Sequence, residues 1–308
     1  LPATQIHAAY ADGRLSPRDI LVTDGVPAEV PFLSGILTTV PATPNSHVAI
    51  QAQAYGIPFV YVAGPAGQAH LAELDGREVV LQATLRSGFA RVSVLVAEEA
   101  LSAALREEVL ALKQPPLPKI LPMATYGALS APVDQLHPAD IRFFGGKAAH
   151  FGLLRRTIPN DCPEAFALSF DLWMAFMGQT LPSGRTLAEE IQTRLAAHQV
   201  YPPDITTVRQ DLAAIRDLIT HTARFTTEQQ AAITAALAPF DPLRRIRFRS
   251  SSNAEDGETF SAAGLYDSYS GCLADDLDGD TSGPCRCDAT ETNERGVFRA
   301  IQKVYASF

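Results

Sequence analysis

The chain has 308 residues, of which 46% are hydrophobic and 19% charged, and its formal net charge is −9. This composition is typical of a globular protein with room for two domains. The negative charge argues against a nucleic-acid partner, because binding to phosphate backbones requires basic surfaces. No apolar run is long enough to cross a bilayer, and the first residues lack the pattern of a signal peptide. The missing initiator Met predicts a piece of a longer protein.

The first hundred or so residues alternate strand-like runs with short helical runs. HVAIQAQAYG is predicted to form a short helix that Gly56 closes. The strand-like runs are rich in Val, Ile and Leu and end near Gly, Pro or Asp. They read DILVTDG, SGILTTV, PFVYVAG, EVVLQATL and RVSVLVAE. The alternation predicts an α/β unit.

His47 stands at the start of that helix, directly behind a Pro-Asn-Ser turn. The positive end of a helix dipole disfavours imidazolium, so the ring is expected to be neutral and nucleophilic near pH 7. If the ring carried a phosphoryl group, first-turn N–H groups and the Ser46 hydroxyl would bind the new charge. The alternative is a histidine that only caps the helix or packs against it.

Residues 113–140 form a proline-rich stretch, KQPPLPKILPMATYGALSAPVDQLHPAD. Its six prolines disfavour regular structure and stiffen the chain locally. The sequence therefore predicts a tether, which would reach up to about 90 Å at roughly 3.3 Å per residue.

After the tether the pattern becomes helical, which predicts a second, α+β part. In VRQDLAAIRDLITH the apolar residues three and four apart define one face, made of Leu212, Ile215, Leu218 and Ile219. Thr226 and Gln229 match a capping box. Other helical runs are GKAAHFGLLRR, FDLWMAFMG, LAEEIQTRLAAH and TEQQAAITAALA, and IRFRS is a predicted strand. A last stripe runs through Val297, Ile301, Val304, Tyr305 and Phe308 and stops within its pattern, which suggests a domain cut short.

FFGGKAAHFG is a Gly-Gly-Lys turn that opens a helix. Backbone N–H groups and the Lys147 ammonium would converge there on a phosphate. The turn is not a Walker A loop, which needs another Gly upstream and a Ser or Thr directly after the Lys. The alternative is a solvated lysine.

A second phosphate-binding candidate lies in FRSSSNAEDGETFSAAGLYDSYSG. Arg249 ends a short strand, where its guanidinium would bind a phosphate bidentately. Three serine hydroxyls follow, and Ala262, Ala263 and Gly264 make a small-residue loop suited to lie over a nucleotide. The alternative is a polar loop in which Arg249 pairs with Glu255 or Asp256.

Three of the four cysteines, Cys272, Cys285 and Cys287, bracket an acidic loop. A disulfide that closes the loop, free thiols in a surface insertion, and a metal site are three readings of this pattern. The metal reading has the least support, because the spacing fits neither a zinc site nor an EF-hand. No metal ligand is assigned within this chain.

Together these segments resemble the family of phosphoenolpyruvate synthase, pyruvate phosphate dikinase and the glucan water dikinases. The Gly-Gly-Lys segment, the Arg-Ser-Ser segment about a hundred residues later and the Ala-Gly loop resemble that family's ATP-grasp domain. NSHVAIQAQAYGIPFV around His47 resembles its swivelling phosphohistidine domain. The domain order and SAAGLYDS are similar to those of the glucan water dikinases. The family has Arg where this chain has Gln51 and Gln53, and Pro-Gly-Phe where it has PEAF.

The resemblance implies a small β/α phosphohistidine domain over residues 1–112, a linker over 113–140 and a partial ATP-grasp domain over 141–308. His47 would take the β-phosphate of ATP and pass it to an acceptor. Lys147 and Arg249 would hold the ATP phosphates, Gly264 would lie over them, and Ser268 occupies the place of a phosphate-contacting Thr. The family's Mg²⁺ ligands are expected beyond residue 308, so the chain as given should not turn over.

The acceptor implied is a small molecule such as pyruvate or a polysaccharide such as a glucan, with no nucleic acid and no membrane as partner. ATP use argues for the cytoplasm, whereas a disulfide would fit a secreted or periplasmic location. An alternative is a non-catalytic nucleotide-binding or regulatory protein of the same fold, and a further one is an unrelated α/β protein with chance motifs.

Overall fold

The computed structural model describes residues 1–25, 32–43, 46–86, 89–114, 120–200, 203–254 and 266–308. The chain divides into two compact units. The first comprises Leu1–Leu117 with Ala197–Gln210, and the second comprises Pro118–Ala196 with Asp211–Phe308. Among the described residues, no helix combines the length and the apolar character needed to span a bilayer.

The first unit is built around a three-stranded parallel sheet in the order β1-β2-β3. Its strands are β1 (Ile20–Thr23), β2 (Gly35–Thr38) and β3 (Phe59–Tyr61). The central strand β2 is buried at all four positions, as expected for a parallel sheet covered on both faces. Pairing of β1 with β2 sets Ile20 opposite Gly35.

The remaining elements of this unit are short helices and one hairpin. They are α1 (Ile6–Ala11), α2 (His47–Ala54), α3 (Pro65–Glu73), the antiparallel pair β4 (Val79–Arg86) and β5 (Phe89–Val96), α4 (Ala97–Ala100) and α5 (Ala103–Ala111). The helix predicted behind the Pro-Asn-Ser turn is confirmed as α2. Gly56 follows it with φ = 64°, a left-handed value that favours glycine at a helix end.

The second unit contains two antiparallel strand pairs surrounded by helices. The strands are β6 (Ser130–Pro132) with β7 (Phe166–Leu168), and β8 (Ile246–Arg249) with β9 (Ser268–Gly271). The helices are α6 (Ile141–Phe144), α7 (Gly146–Thr157), α8 (Phe170–Met177), α9 (Leu187–Ala196), α11 (Thr227–Leu237), α12 (Leu273–Leu277) and α13 (Val297–Tyr305), while α10 (Ile205–Asp217) contains residues of both units.

The core of the second unit confirms several helical patterns. Leu172, Phe176, Val297 and Ile301 are at most 2% exposed and belong to one hydrophobic cluster. Of the predicted stripe on α13, only Phe308 is substantially exposed, although its ring still contacts those of Trp173 and Tyr266. These contacts place α13 at the centre of the unit.

Two further helical predictions are confirmed. In the predicted capping box, the Thr226 hydroxyl accepts from the Gln229 N–H and the Gln229 side chain accepts from the Thr226 N–H, at 3.2 and 2.9 Å. On the predicted apolar face, Ile215 and Ile219 are buried. Regular α-helix ends at Asp217, however, and a π-helical turn spans Leu218–Thr222.

The proline-rich stretch differs from the predicted tether over its last part. Residues Ser130–Pro132 form β6, Val133 and Leu136 are buried, and Gly152 of α7 packs against their carbonyl oxygens. Apolar side chains between the prolines have a core to enter here, so burial outweighs the weak propensity for regular structure. The boundaries 1–112, 113–140 and 141–308 stay a prediction.

A disulfide joins Cys272 to Cys287, whereas Cys162 and Cys285 are free thiols. The disulfide closes the acidic loop, and the buried Cys285 adds one thiol inside it. Burial, together with the nearby Asp275 carboxyl, raises the pKa of the Cys285 thiol. The structure therefore combines two of the readings that the sequence left open.

Candidate functional site

The Gly-Gly-Lys turn joins α6 to α7 at Gly145, which has φ = 81° and ψ = 167°. Side-chain-bearing residues rarely adopt this conformation. A Cβ at this position would lie 2.4 Å from the carbonyl carbon and oxygen of Ser251. Glycine is thus required twice, for its backbone conformation and for the close approach of a second segment.

That second segment is the serine run after β8, and three hydrogen bonds lock it to the turn. The Gly146 N–H donates to the Ser252 carbonyl at 3.0 Å. The Ser251 hydroxyl accepts from the Ala148 N–H at 3.0 Å and donates to the Phe144 carbonyl at 2.7 Å. Two first-turn N–H groups that the sequence assigned to a phosphate cradle are therefore bonded to serine oxygens instead.

Lys147 extends from this turn toward the end of β8. Its Nζ donates to the Ser250 Oγ at 3.0 Å, across 103 residues of sequence. Ser250 is only 2% exposed, whereas the neighbouring Arg249 is exposed. The half-buried ammonium therefore contacts the residue directly after the exposed Arg249.

Strand pairing sets Ser268 beside Arg249. In the antiparallel register of β8 and β9, Arg249 lies directly opposite Ser268. Side chains at paired positions share one face of the sheet. The structure thus bonds Lys147 to Ser250 and sets Arg249 opposite Ser268, and we call these four residues together the Lys147–Arg249 site.

The Lys147–Arg249 site offers two cations and two hydroxyls. This donor set suits a phosphate-bearing anion, because ammonium, guanidinium and hydroxyl groups all donate to phosphate oxygens. It does not suit Mg²⁺, which needs oxygen ligands and prefers carboxylates. These four residues therefore suit a phosphate and not a magnesium ion.

Two predicted features of this region lie outside the described residues. They are Gly264 in the small-residue loop and the carboxylates of Glu255 and Asp256, the alternative partners of Arg249.

His47 belongs to the first unit and is the first residue of α2. The hydroxyl of Ser46, the N-cap residue, accepts a hydrogen bond from the Ala49 N–H at 3.2 Å. The structure describes the backbone of His47 and not its side chain. Its position at a helix N-terminus is therefore described, while its catalytic role stays a prediction.

Within the described part of the chain, two groups of metal-ligating residue types have ligand atoms within 4.8 Å of one another. They are the three cysteines of the acidic loop, and Asp278, Asp280 and Glu294. Two of the three sulfur atoms are joined in the disulfide, and the three acidic side chains are exposed or half-exposed. Neither group contributes to the Lys147–Arg249 site.

Ser251 is the functional position whose role the sequence did not reveal. It was grouped with its neighbours as a hydroxyl for a ligand, yet it fastens the Gly-Gly-Lys turn. The sequence indicates this role only indirectly. A glycine directly before the first helical residue predicts that another backbone segment approaches closely, but it does not identify that segment. Only the pairing of segments about a hundred residues apart identifies that partner.

Comparison with known proteins gives one family match. Residues 141–308 match the family described as pyruvate phosphate dikinase, AMP/ATP-binding domain. The matched segment contains all four residues of the Lys147–Arg249 site.

Two curated proteins are similar to parts of the chain, and both are named rifampicin phosphotransferase. One, from Streptomyces sp, is 32% identical over 143 residues, which cover 46% of this chain and 16% of that protein. The other, from Streptomyces sviceus, is 31% identical over 137 residues, which cover 44% of this chain and 15% of that protein. The chain thus spans less than a fifth of the length of these relatives.

Proposed function

We propose, for a chain that belongs to the pyruvate phosphate dikinase AMP/ATP-binding domain family, that it binds ATP at the Lys147–Arg249 site as part of a phosphotransferase. The observation that supports the proposal is that Ser250 accepts a hydrogen bond from Lys147 while the preceding residue, Arg249, pairs with Ser268 across the strands. Positive groups fixed in place stabilise the charge that moves during phosphoryl transfer, which is the main requirement of that reaction.

Each side chain has a distinct part in this proposal. Lys147 supplies a point charge, and its bond to the buried Ser250 orients it. Arg249 is exposed and supplies the planar guanidinium fork that suits phosphate oxygens. Ser268, on the paired strand, donates a neutral hydrogen bond to the same anion.

His47 is the proposed carrier of the transferred phosphoryl group. An imidazole nitrogen of His47 attacks the β-phosphorus of ATP, and AMP leaves as the bond between the α- and β-phosphates breaks. Water then removes the γ-phosphate as inorganic phosphate, and the acceptor takes the phosphoryl group that remains on the nitrogen. Support comes from the placement of His47 as the first residue of α2, because the positive end of a helix dipole favours a bound anion. The Gln side chains at 51 and 53 lie on the same helix in place of the family's Arg, and they favour weaker neutralisation of that anion.

For the acceptor we propose a small organic molecule. The two similar proteins are named for phosphotransfer to rifampicin, which is a small molecule. That likeness favours a small-molecule acceptor over the glucan suggested by the domain order. Pyruvate is one example of such a small molecule.

The nucleotide site is tested by calorimetric titration of the chain with ATP. Arg249→Ala and Lys147→Ala are expected to weaken binding about tenfold each, since a hydrogen bond to a charged group contributes about 1.5–3 kcal/mol. Arg244→Ala is the matched control, because Arg244 is an exposed arginine five residues earlier. Unchanged affinity in the Arg249 variant would refute the site.

The relay is tested on the full-length protein that contains this chain. We expect incubation with ATP labelled at the β-phosphate and Mg²⁺ to leave an acid-labile, base-stable label, which His47→Ala abolishes. Binding of ATP without any label would instead support a non-catalytic nucleotide-binding protein.

A further inference from the structure

A cavity of about 360 Å³ lies beside β9 and α13 in the second unit. It is lined by five cationic side chains and a single carboxylate, that of Glu294. The cations are those of Arg245, Arg247, Arg295, Arg299 and Lys303. In a chain of net charge −9, such a concentration of positive charge calls for a physical explanation.

Two of the five cations have carboxylate partners. Arg245 pairs with Asp288 at 2.6 Å, and Arg295 pairs with Glu291 at 2.5 Å. These pairs compensate the charges of the two arginines.

The other three cations have neutral partners within the described part of the chain. Arg247 donates to the Ser270 hydroxyl at 3.4 Å. Arg299 donates to the Thr220 carbonyl and lies 2.9 Å from the Nε2 of His221. The ammonium of Lys303 lies over the Tyr269 ring, 5.5 Å from its centroid. Among the described residues, none of these three cations forms a direct ion pair with a carboxylate, although the Nδ1 of His221 lies 2.9 Å from Asp217.

Two titration shifts agree with this geometry. Burial lowers the pKa of Lys303, and the nearby Arg299 and Arg295 lower it further. A hydrogen bond with Asp280 raises the pKa of Glu294, the cavity's own carboxylate, to about 7. The lining thus favours an anion from outside.

We propose that this cavity binds a small phosphate-bearing oligoanion through side chains that the Lys147–Arg249 site does not use, although Arg247 stands two residues before Arg249 on the same face of β8. Guanidinium groups match phosphate oxygens in pairs, and three cations that form no direct ion pair with a described carboxylate match the charge of a diphosphate group. The volume lies at the lower end of the range for small-molecule sites, which fits a diphosphate or a compact phosphate ester. The proposal does not depend on the function proposed above.

The lysines of the chain allow a direct test, because there are four of them, at 113, 119, 147 and 303. We would acetylate the full chain briefly with and without pyrophosphate, at matched ionic strength, and measure the modification of each lysine by peptide mapping. Lys303 is expected to react about tenfold more slowly with pyrophosphate, while Lys113 in the first unit serves as the internal control. Protection of Lys147 alone, or of no lysine, would overturn the proposal.

Variants separate the two anion sites. Arg299→Gln is expected to abolish the protection of Lys303, whereas Arg249→Gln should leave it intact. Arg244→Gln is the control, because Arg244 is adjacent to Arg245 in sequence and does not line the cavity. Protection of Lys303 that survives in Arg299→Gln but is lost in Arg249→Gln would show that pyrophosphate reaches only the Lys147–Arg249 site.

Parallel titrations with inorganic phosphate, ADP and pyrophosphate identify the source of the phosphate group. Protection by ADP as well as by pyrophosphate would assign a nucleotide diphosphate to the cavity, and protection by pyrophosphate alone would assign the free anion. Equal protection by chloride at the same ionic strength would refute a specific site, because it would reflect screening alone.

Discussion

Substitution of Gly145 by Ala tests how strictly the Gly-Gly-Lys turn depends on glycine. Two costs add at this position. Backbone at φ = 81° and ψ = 167° costs an alanine about 1–3 kcal/mol. A Cβ placed 2.4 Å from the Ser251 backbone must also push that segment away, and overpacking of this kind costs about 1–3 kcal/mol. We therefore expect the free energy of unfolding to fall by about 2–6 kcal/mol.

Gly184→Ala is the matched control, because Gly184 has φ = 85° and nothing within 4 Å of an added Cβ. It carries the backbone strain without the collision, so its cost should be about 1–2 kcal/mol. Urea denaturation gives both values, and calorimetry with ATP gives the effect on binding. Gly145→Ala should also weaken ATP binding, since displacement of Ser251 moves the neighbouring Ser250 away from Lys147. Equal stabilities of the two variants, together with unchanged ATP affinity, would refute the reasoning.

Three further predictions concern the surroundings of the two proposed sites. Ser251→Ala removes the acceptor of the Ala148 N–H and should cost about 1–3 kcal/mol in urea denaturation; an unchanged midpoint would contradict the locking role. Cys272→Ser removes the disulfide with Cys287, 15 residues away, and should lower the free energy of unfolding by about 3 kcal/mol. Dithiothreitol, which reduces this disulfide in the parent chain, must abolish the difference between the two proteins. Burial raises the pKa of Asp276 from 3.8 to about 6, so its contribution to stability is present below pH 3.8 and is lost as the pH rises through about 6. Asp276→Asn should therefore flatten the plot of unfolding free energy against pH over this interval. A plot that runs parallel to that of the parent chain would refute the assignment.

Local patterns were enough to predict most of the elements. The helix ended by Gly56, the capping box at Thr226 and the stripe on α13 depend on residues within a few positions of each other, and each is confirmed. The family resemblance, stated on short motifs, is confirmed by the match over residues 141–308.

Long-range pairings explain what the sequence did not predict. The β6 strand forms because Phe166–Leu168 offers a partner, and nothing in the proline-rich stretch itself indicates that segment. Ser251 fastens a turn about a hundred residues earlier, which leaves no local periodicity. The choice of Cys287 over Cys285 likewise depends on how the acidic loop folds back, since the two are separated by one residue.

The bond between Lys147 and Ser250 joins segments 103 residues apart, and this has a thermodynamic consequence. A ligand held by both segments binds only when the chain between them is folded. Its binding free energy is therefore added to the stability of the whole second unit, and the melting temperature of that unit should rise with ligand concentration. Differential scanning calorimetry with increasing ATP would then show one shifting transition for residues of the second unit and an unchanged one for the first.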